Sequence, residues 1–293
     1  MYNERSIIME YATLRNGVKM PIEGFGVFQV PDAAVCEESV YTAIKTGYRL
    51  IDTAAAYANE EAVGAAVRRA VADGICTREE LFITTKLWIQ DYPNAKEGFE
   101  VSLKKLGMDY VDLYLLHQPI GDYYSAWRAL EDIYKSGKAK AIGVCNFYPE
   151  RMTDLCLHCE IQPMVNQVEC HPFFHQKQAL ETAKEFGIVL EAWGPFAEGG
   201  HGIFTHPVLT GIGNQYGKTP AQVALRFNIQ RGVVVIPKSV HEERIRQNFD
   251  VWDFTLSDMD MKKIESLDIG HSEIIDHFAA STAKFLSSFN IHD

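Results

Sequence analysis

The chain has 293 residues, 47% of them apolar and 23% charged, with 28 Lys and Arg against 39 Asp and Glu for a formal charge of −11. A chain of this size and apolar content can bury a large core, which excludes global disorder, and its acidic balance disfavours general binding to phosphate backbones. No apolar run approaches the ~20 residues of a membrane helix. Residues 1–10 carry Glu4, Arg5 and Glu10 and no apolar stretch of signal-peptide character. The expectation is a cytoplasmic protein whose six cysteines are reduced thiols.

In chain order, residues 11–20 alternate around Asn16-Gly17, a hairpin turn signal. Short β-branched or aromatic runs follow at 22–28, 49–53, 81–87, 111–117, 141–145, 164–170, 188–193 and 233–237. Amphipathic stretches separate them at 33–46, 59–73, 95–106, 123–136, 149–158, 176–186 and 220–231, and another covers 241–250. Several strand runs are apolar almost throughout, as expected of parallel strands covered by helices. Eight strand–helix alternations predict an α/β fold, a closed (β/α)8 TIM barrel, as a single domain over residues 1–293. The hairpin would plug the bottom of the barrel. Residues 257–293 read as a helix and then a C-terminal tail holding Phe278, Phe285, Leu286 and Phe289. An open doubly wound sheet is the competing fold. It needs a G-x-G-x-x-G turn after the first strand, and here Gly24-Phe-Gly26 is followed by Gln29 at the third glycine position.

Barrel enzymes carry their chemistry at the C-terminal ends of the strands. Asp52 ends the second predicted strand, with Tyr57 five residues on; Lys86 lies at the end of the third, and His117 ends the fourth. A phenol with its ordinary pKa of about 10 is a poor acid near neutrality, and a neighbouring ammonium lowers that value. A carboxylate would hold the lysine charged, and an imidazole could bond a substrate oxygen. The set suits protonation of a carbonyl oxygen while hydride reaches its carbon. Taken singly, each residue reads more readily as a turn, cap or core group; their joint placement on three adjacent strands is what points to a site.

After the eighth strand, Lys238, Ser239 and Arg244 form a compact basic and hydroxyl group, where barrels often hold phosphate. The alternative is a solvated helix face, since His241-Glu-Glu-Arg-Ile-Arg246 is charged in any case. Cys156-Leu-His-Cys159 and Cys170-His171 bear zinc-type ligands, but no second paired-cysteine motif completes a site, so no metal is expected.

Gly47-Tyr-Arg-Leu-Ile-Asp52-Thr-Ala-Ala-Ala-Tyr57-Ala-Asn-Glu60-Glu-Ala-Val-Gly64 resembles the leading signature of the aldo-keto reductases. The likeness continues through Lys86, His117, Gly143-Val-Cys-Asn-Phe147, Gln167 and Ile236-Pro-Lys-Ser239, and is strongest to bacterial-type diketogluconate reductase and prostaglandin F synthase-like members, which act on diketogluconates, methylglyoxal or prostaglandin endoperoxides. The resemblance implies that Tyr57 is the general acid, Lys86 its partner, Asp52 the partner of the lysine, and His117 the group that orients substrate. It implies NADPH lying across the barrel mouth, with Asp52, Asn146 and Gln167 near the nicotinamide and Trp193 stacked on it. Lys238, Ser239 and Arg244 would take the 2′-phosphate and Asn248 the adenine, while Phe28, Trp88 and His117 would line the substrate site.

The sequence departs from the family pattern at Cys145 and Gly194, where serine is common. Gln247 stands in place of a glutamate and Gln118 in place of a tryptophan. Glycine-rich residues 198–206 are expected to make a mobile loop over the pyrophosphate, and the tail to form part of the pocket rim.

The implied activity is NADPH-dependent reduction of aldehydes and ketones by a monomer or weak homo-oligomer acting on small carbonyl compounds, without nucleic-acid or membrane partners. The alternative is a cofactor-sensing regulatory subunit of the same fold. Tyr41-Thr-Ala-Ile-Lys45 has the spacing of the short-chain dehydrogenase pair, but it falls in the first helix with no glycine-rich turn before it.

Overall fold

The structure, a computed structural model, describes residues 10–292. The first nine residues, whose sequence was read for a targeting segment, lie outside the described residues, as does Asp293. Strands β1 (Tyr11–Thr13) and β2 (Lys19–Pro21) pair antiparallel, with Tyr11 opposite Pro21. Gly17 takes φ +88° in the turn, a left-handed conformation that glycine adopts without steric cost.

Eight parallel strands follow: β3 (Gly24–Gly26), β4 (Leu50–Asp52), β5 (Phe82–Leu87), β6 (Leu113–Leu116), β7 (Ile142–Cys145), β8 (Val165–Glu169), β9 (Val189–Trp193) and β10 (Val234–Val235). They pair in sequence order. Val235 N donates to Ile22 O at 3.0 Å and Gly26 N to Pro237 O at 3.1 Å, which joins the last strand to the first. The result is a (β/α)8 barrel.

Helices α1 (Ala33–Thr46), α2 (Glu60–Ala72), α3 (Ala95–Leu106), α4 (Tyr123–Lys135), α5 (Pro149–His158) and α6 (Lys177–Glu185) alternate with the strands. Two helices, α7 (Pro207–Tyr216) and α8 (Pro220–Gln230), separate β9 from β10. Beyond the barrel come α9 (Glu242–Phe249), α10 (Asp258–Glu265) and α11 (Ala280–Ser288). Their ends follow local chemistry. Asp32 accepts from Val35 N at the start of α1, and Thr219 and Gln222 form a reciprocal cap at the start of α8. Among the described residues, no helix is long and apolar enough to cross a membrane.

The hairpin lies across the N-terminal ends of the strands. Asn16 Nδ2 donates to Lys140 O at 2.9 Å, just before β7, and Arg15 bonds Gln162 and Phe186 O, just before β8 and β9. With that end plugged, the opposite end is the accessible one. Inside the barrel Gly143 is required by close approach: a Cβ there would stand 2.4 Å from Val165 O and 2.8 Å from Leu115 Cδ2. That pinch forms a packed floor beneath Cys145, the next residue of β7 on the same face.

The predicted elements are present, with strands trimmed at their ends. The trim is large at residues 22–28, of which Gly24–Gly26 is strand, and at residues 233–237, where only Val234–Val235 pairs as strand; Pro237 has no N–H to extend the ladder. The helix α7 was not expected from the sequence, and part of the tail is the helix α11.

Candidate active site

The C-terminal ends of the strands surround a cavity of about 700 Å³. Its floor is built from polar side chains that the barrel buries. Lys86, on β5, is fully buried, and its Nζ donates to Asp52 Oδ1 on β4 at 2.6 Å, to Thr53 O at 2.9 Å and to Tyr57 Oη at 3.2 Å. Tyr57 arrives on a single helical turn, Ala55–Tyr57, directly after β4. The His117 ring stands edge-on to Tyr57 at 5.5 Å and edge-on to Trp88 at 5.1 Å, centroid to centroid. The structure therefore brings Asp52, Tyr57, Lys86 and His117 into one cluster.

Burial and charge oppose each other here. Burial alone would discharge Lys86, but Asp52 and Tyr57 outweigh it and hold the ammonium well above its usual range. Burial holds His117 well below the usual imidazole range, aided by the Lys86 charge, so the ring is neutral at neutral pH. Tyr57 corrects a sequence expectation. Lys86 does pull its pKa down, but burial dominates and the phenol is pushed up to about 12. Burial of the hydroxyl is a property of the fold that the sequence motif does not display.

A second layer joins the floor to the wall. Asn146 follows β7 in a left-handed conformation, φ +61°, which asparagine tolerates better than most residues. Its Oδ1 accepts from Trp193 Nε1 at 2.8 Å, and its Nδ2 lies 3.3 Å from both His117 O and Gln118 Oε1. Gln167 Nε2 donates to Asp52 Oδ2 at 2.9 Å and to Glu191 Oε2 at 2.8 Å. Asn146, Gln167 and Trp193 all line the cavity.

At its far end the cavity is lined by Lys238 and Arg244, both exposed. Ser239 and Asn248 are buried beside them and are not part of the lining; Ser239 Oγ accepts from His241 N at 3.1 Å at the start of α9. Glu198 and Phe204, from the segment expected as a loop, lie on the rim. His201 of that segment pairs with Glu273 of the tail at 2.9 Å.

Near Tyr57 the wall is apolar. Phe28 tilts against Tyr57 at 5.0 Å, and Trp88 donates its indole N–H to Phe289 O at 2.9 Å. Ile275, His277, Phe285, Leu286 and Phe289 complete this wall from the tail. The tail is further tied by Ser272 Oγ, which donates to Glu169 Oε2 at 2.5 Å.

The cysteine cluster is packing. Cys156 Sγ lies 3.7 Å from Met152 Sδ on α5, whereas Cys170 sits against Asn228 and Arg231. Sequence reasoning passed over Glu191, a fully buried carboxyl among apolar neighbours on β9, and the tail residues Ile275 and His277. For Glu191 the signal existed: it shares the strand face of Trp193, two residues on.

Residues 24–269 match the model of the Aldo/keto reductase family. The chain is 50% identical over 257 residues to a glyoxal reductase of Bacillus subtilis (strain 168), covering 87% of this chain and 91% of that protein. It is 44% identical over 260 residues to the methylglyoxal reductase DkgA of Escherichia coli (strain K12), covering 88% and 93%. In structure it resembles a Bombyx mori aldo-keto reductase solved in complex with NADP, with a TM-score of 0.87 and 36% identity over 92% of this chain and 95% of that one. The chain belongs to the aldo/keto reductase family.

Proposed function

We propose that the protein reduces aldehydes and ketones to alcohols with NADPH, using Tyr57 as general acid. Family membership makes it an oxidoreductase. The observation that carries the finer reading is the Asp52–Lys86–Tyr57 relay of 2.6 and 3.2 Å on the cavity floor, with His117 against the phenol.

The residues present fit a phosphorylated dinucleotide. Two cations, Lys238 and Arg244, line one end of the cavity, and a guanidinium can grip a phosphate with two parallel hydrogen bonds. The relatives named glyoxal and methylglyoxal reductase, and the NADP-bound relative, support the same cofactor and substrate class. When bound, the reduced nicotinamide supplies hydride. Lys238 and Arg244 would hold the 2′-phosphate, Ser239 and Asn248 would support that end, and Asn146, Gln167 and Trp193 would hold the ring, with Asp52 behind them.

The chain's own part is proton transfer and orientation. His117, neutral, bonds the substrate oxygen and places it beside Tyr57 Oη. As that oxygen gains alkoxide character it becomes far more basic than a phenolate, so Tyr57 can surrender its proton even from a pKa of about 12. Lys86 stays charged and steadies the phenolate that forms, and Asp52 keeps Lys86 in place. Phe28, Trp88 and the tail exclude water around the developing charge. Because the acid form of Tyr57 is populated throughout the neutral range, reduction should be flat with pH there. The reverse oxidation needs the phenolate and should rise as pH increases.

The test is a panel of glyoxals, aromatic aldehydes and sugars with NADPH and NADH, followed by loss of reduced-nicotinamide absorbance. Turnover with NADPH is expected. No turnover above buffer, with NADPH still bound, would favour the cofactor-sensing subunit.

A further inference from the structure

Two carboxyl groups and one cation meet inside the barrel. Asp52 Oδ1 bonds Lys86, and Asp52 Oδ2 accepts one N–H of Gln167 at 2.9 Å. The other N–H of the same amide nitrogen goes to Glu191 Oε2 at 2.8 Å. Gln167 and Glu191 are register partners on the adjacent strands β8 and β9, so this contact is set by the ladder rather than by flexible side chains. Asp52 Oδ2, on a carboxylate ion-paired with Lys86, can only accept, so the Gln167 atom beside it is the amide nitrogen, which also faces Glu191 Oε2. Both donors are therefore engaged, and the amide's other end, Oε1, is left for whatever enters the cavity that Gln167 lines.

We propose that Glu191 is a positioning residue that, with Asp52, locks the Gln167 amide with its carbonyl toward the cavity. The proposal rests on the cofactor reading above, and it adds a residue outside the relay of Asp52, Tyr57, Lys86 and His117. A single acceptor would leave the amide plane free to turn about one hydrogen bond; two acceptors fix it.

Charge balance sets the state in which Glu191 acts. The ionisable groups that bear on it are Asp52 on β4, Lys86 on β5 and Cys145 on β7; β8 presents Gln167, and β10 presents Val234 in register. Lys86 is already paired with Asp52, so a second carboxylate would be buried without a counter-ion. Glu191 Oε1 has no hydrogen-bond partner among the described residues, and a lone neutral hydroxyl there costs less than half of a lone carboxylate charge. Burial, reinforced by Asp52, pushes the Glu191 carboxyl up to about 8. It is the neutral acid at neutral pH and ionises under mildly alkaline conditions, making the barrel centre net negative. That added charge favours the cationic oxidised ring of a nicotinamide over the neutral reduced one.

The experiment is calorimetric titration of wild type, E191Q and E191L with NADP+ and with NADPH at a series of pH values. E191Q offers the same amide-accepting oxygen and cannot ionise; E191L offers neither. E191L should bind both cofactors about tenfold more weakly, the effect of one lost hydrogen bond. E191Q should stay within about twofold of wild type at neutral pH. In wild type the preference for NADP+ should step up across a pH of about 8, and in E191Q it should be flat. A leucine variant that binds like wild type overturns the locking role. A step that persists in E191Q overturns the assignment to Glu191, and this comparison decides alone if E191L does not fold. A wild type that binds neither cofactor overturns the underlying reading, and this proposal with it.

Discussion

The two ends of the cavity are built in opposite ways. At the Tyr57 end the charged and amide groups are already tied to one another: Lys86 holds Asp52, Thr53 O and Tyr57, and Gln167 bridges Asp52 to Glu191. These side chains come from strands or the first turn beyond one; burial raises the pKa of Tyr57 and lowers that of the neighbouring His117, while the charge of Asp52 keeps Lys86 protonated. At the other end Lys238 and Arg244 are exposed, carried by the segment after β10 and by α9, with no acidic partner within salt-bridge distance among the described residues. One end is assembled in advance; the other is a field of positive charge that a ligand must organise. A proton-transfer site gains from fixed distances, whereas a phosphate clamp gains from charge that remains accessible until the anion arrives.

Substitutions can break that contrast. The largest effect is expected for Tyr57→Phe, which keeps the ring and removes the transferable proton. Its kcat for reduction should fall on the order of 10²–10⁴, with cofactor affinity by calorimetry unchanged. If affinity falls equally, the phenol is holding cofactor rather than serving as acid. Next is Lys86→Met. It leaves Asp52 buried without its counter-ion and should lower stability by about 3–5 kcal/mol, read from urea denaturation.

The open end should behave differently. Lys238→Ala and Arg244→Ala should each weaken NADPH by about ten- to a hundredfold while leaving NADH unchanged. Stability should stay within about 0.5 kcal/mol, as for exposed side chains generally. Equal losses for both cofactors would place the 2′-phosphate elsewhere. The smallest change is expected for Trp193→Phe, which keeps an aromatic face but loses the N–H that bonds Asn146. Cofactor affinity should drop by less than about tenfold.

The same contrast governs what the sequence could convey. Asp52, Lys86 and His117 were readable because a barrel delivers the ends of its strands to one mouth, so strand prediction alone gathers them. Tyr57 followed from its short distance to Asp52. The direction of its pKa was not readable, because it depends on how Phe28 and His117 pack against the phenol in three dimensions. Glu191 was hidden in the run Val-Leu-Glu-Ala-Trp, where one carboxyl looks like an interruption of a buried strand. Only the register with Gln167 on the adjacent strand reveals its partner.

The helix α7 escaped notice because Gly211 and Gly213 depress helix propensity. Gly213 is there for contact, since a Cβ would meet Lys218 O at 2.3 Å. The tail was legible as a rim from its aromatic residues, but not its attachment, which runs through a backbone oxygen, Phe289 O, that any residue could supply.

The hydrogen bond from Trp193 to Asn146 has a spectroscopic consequence. Of the four tryptophans, Trp127 is a buried residue of α4 and Trp252 is not part of the cavity lining, leaving Trp88 and Trp193 as its two indoles. Each has its N–H tied to a different element, Trp88 to the tail and Trp193 to the turn after β7. Their emission therefore responds to displacement of the tail and to occupancy beside Asn146, and replacing either indole by phenylalanine leaves the other as the one cavity indole, over the background of Trp127 and Trp252. The native chain already contains a pair of optical probes for watching the two walls of its cavity respond in real time.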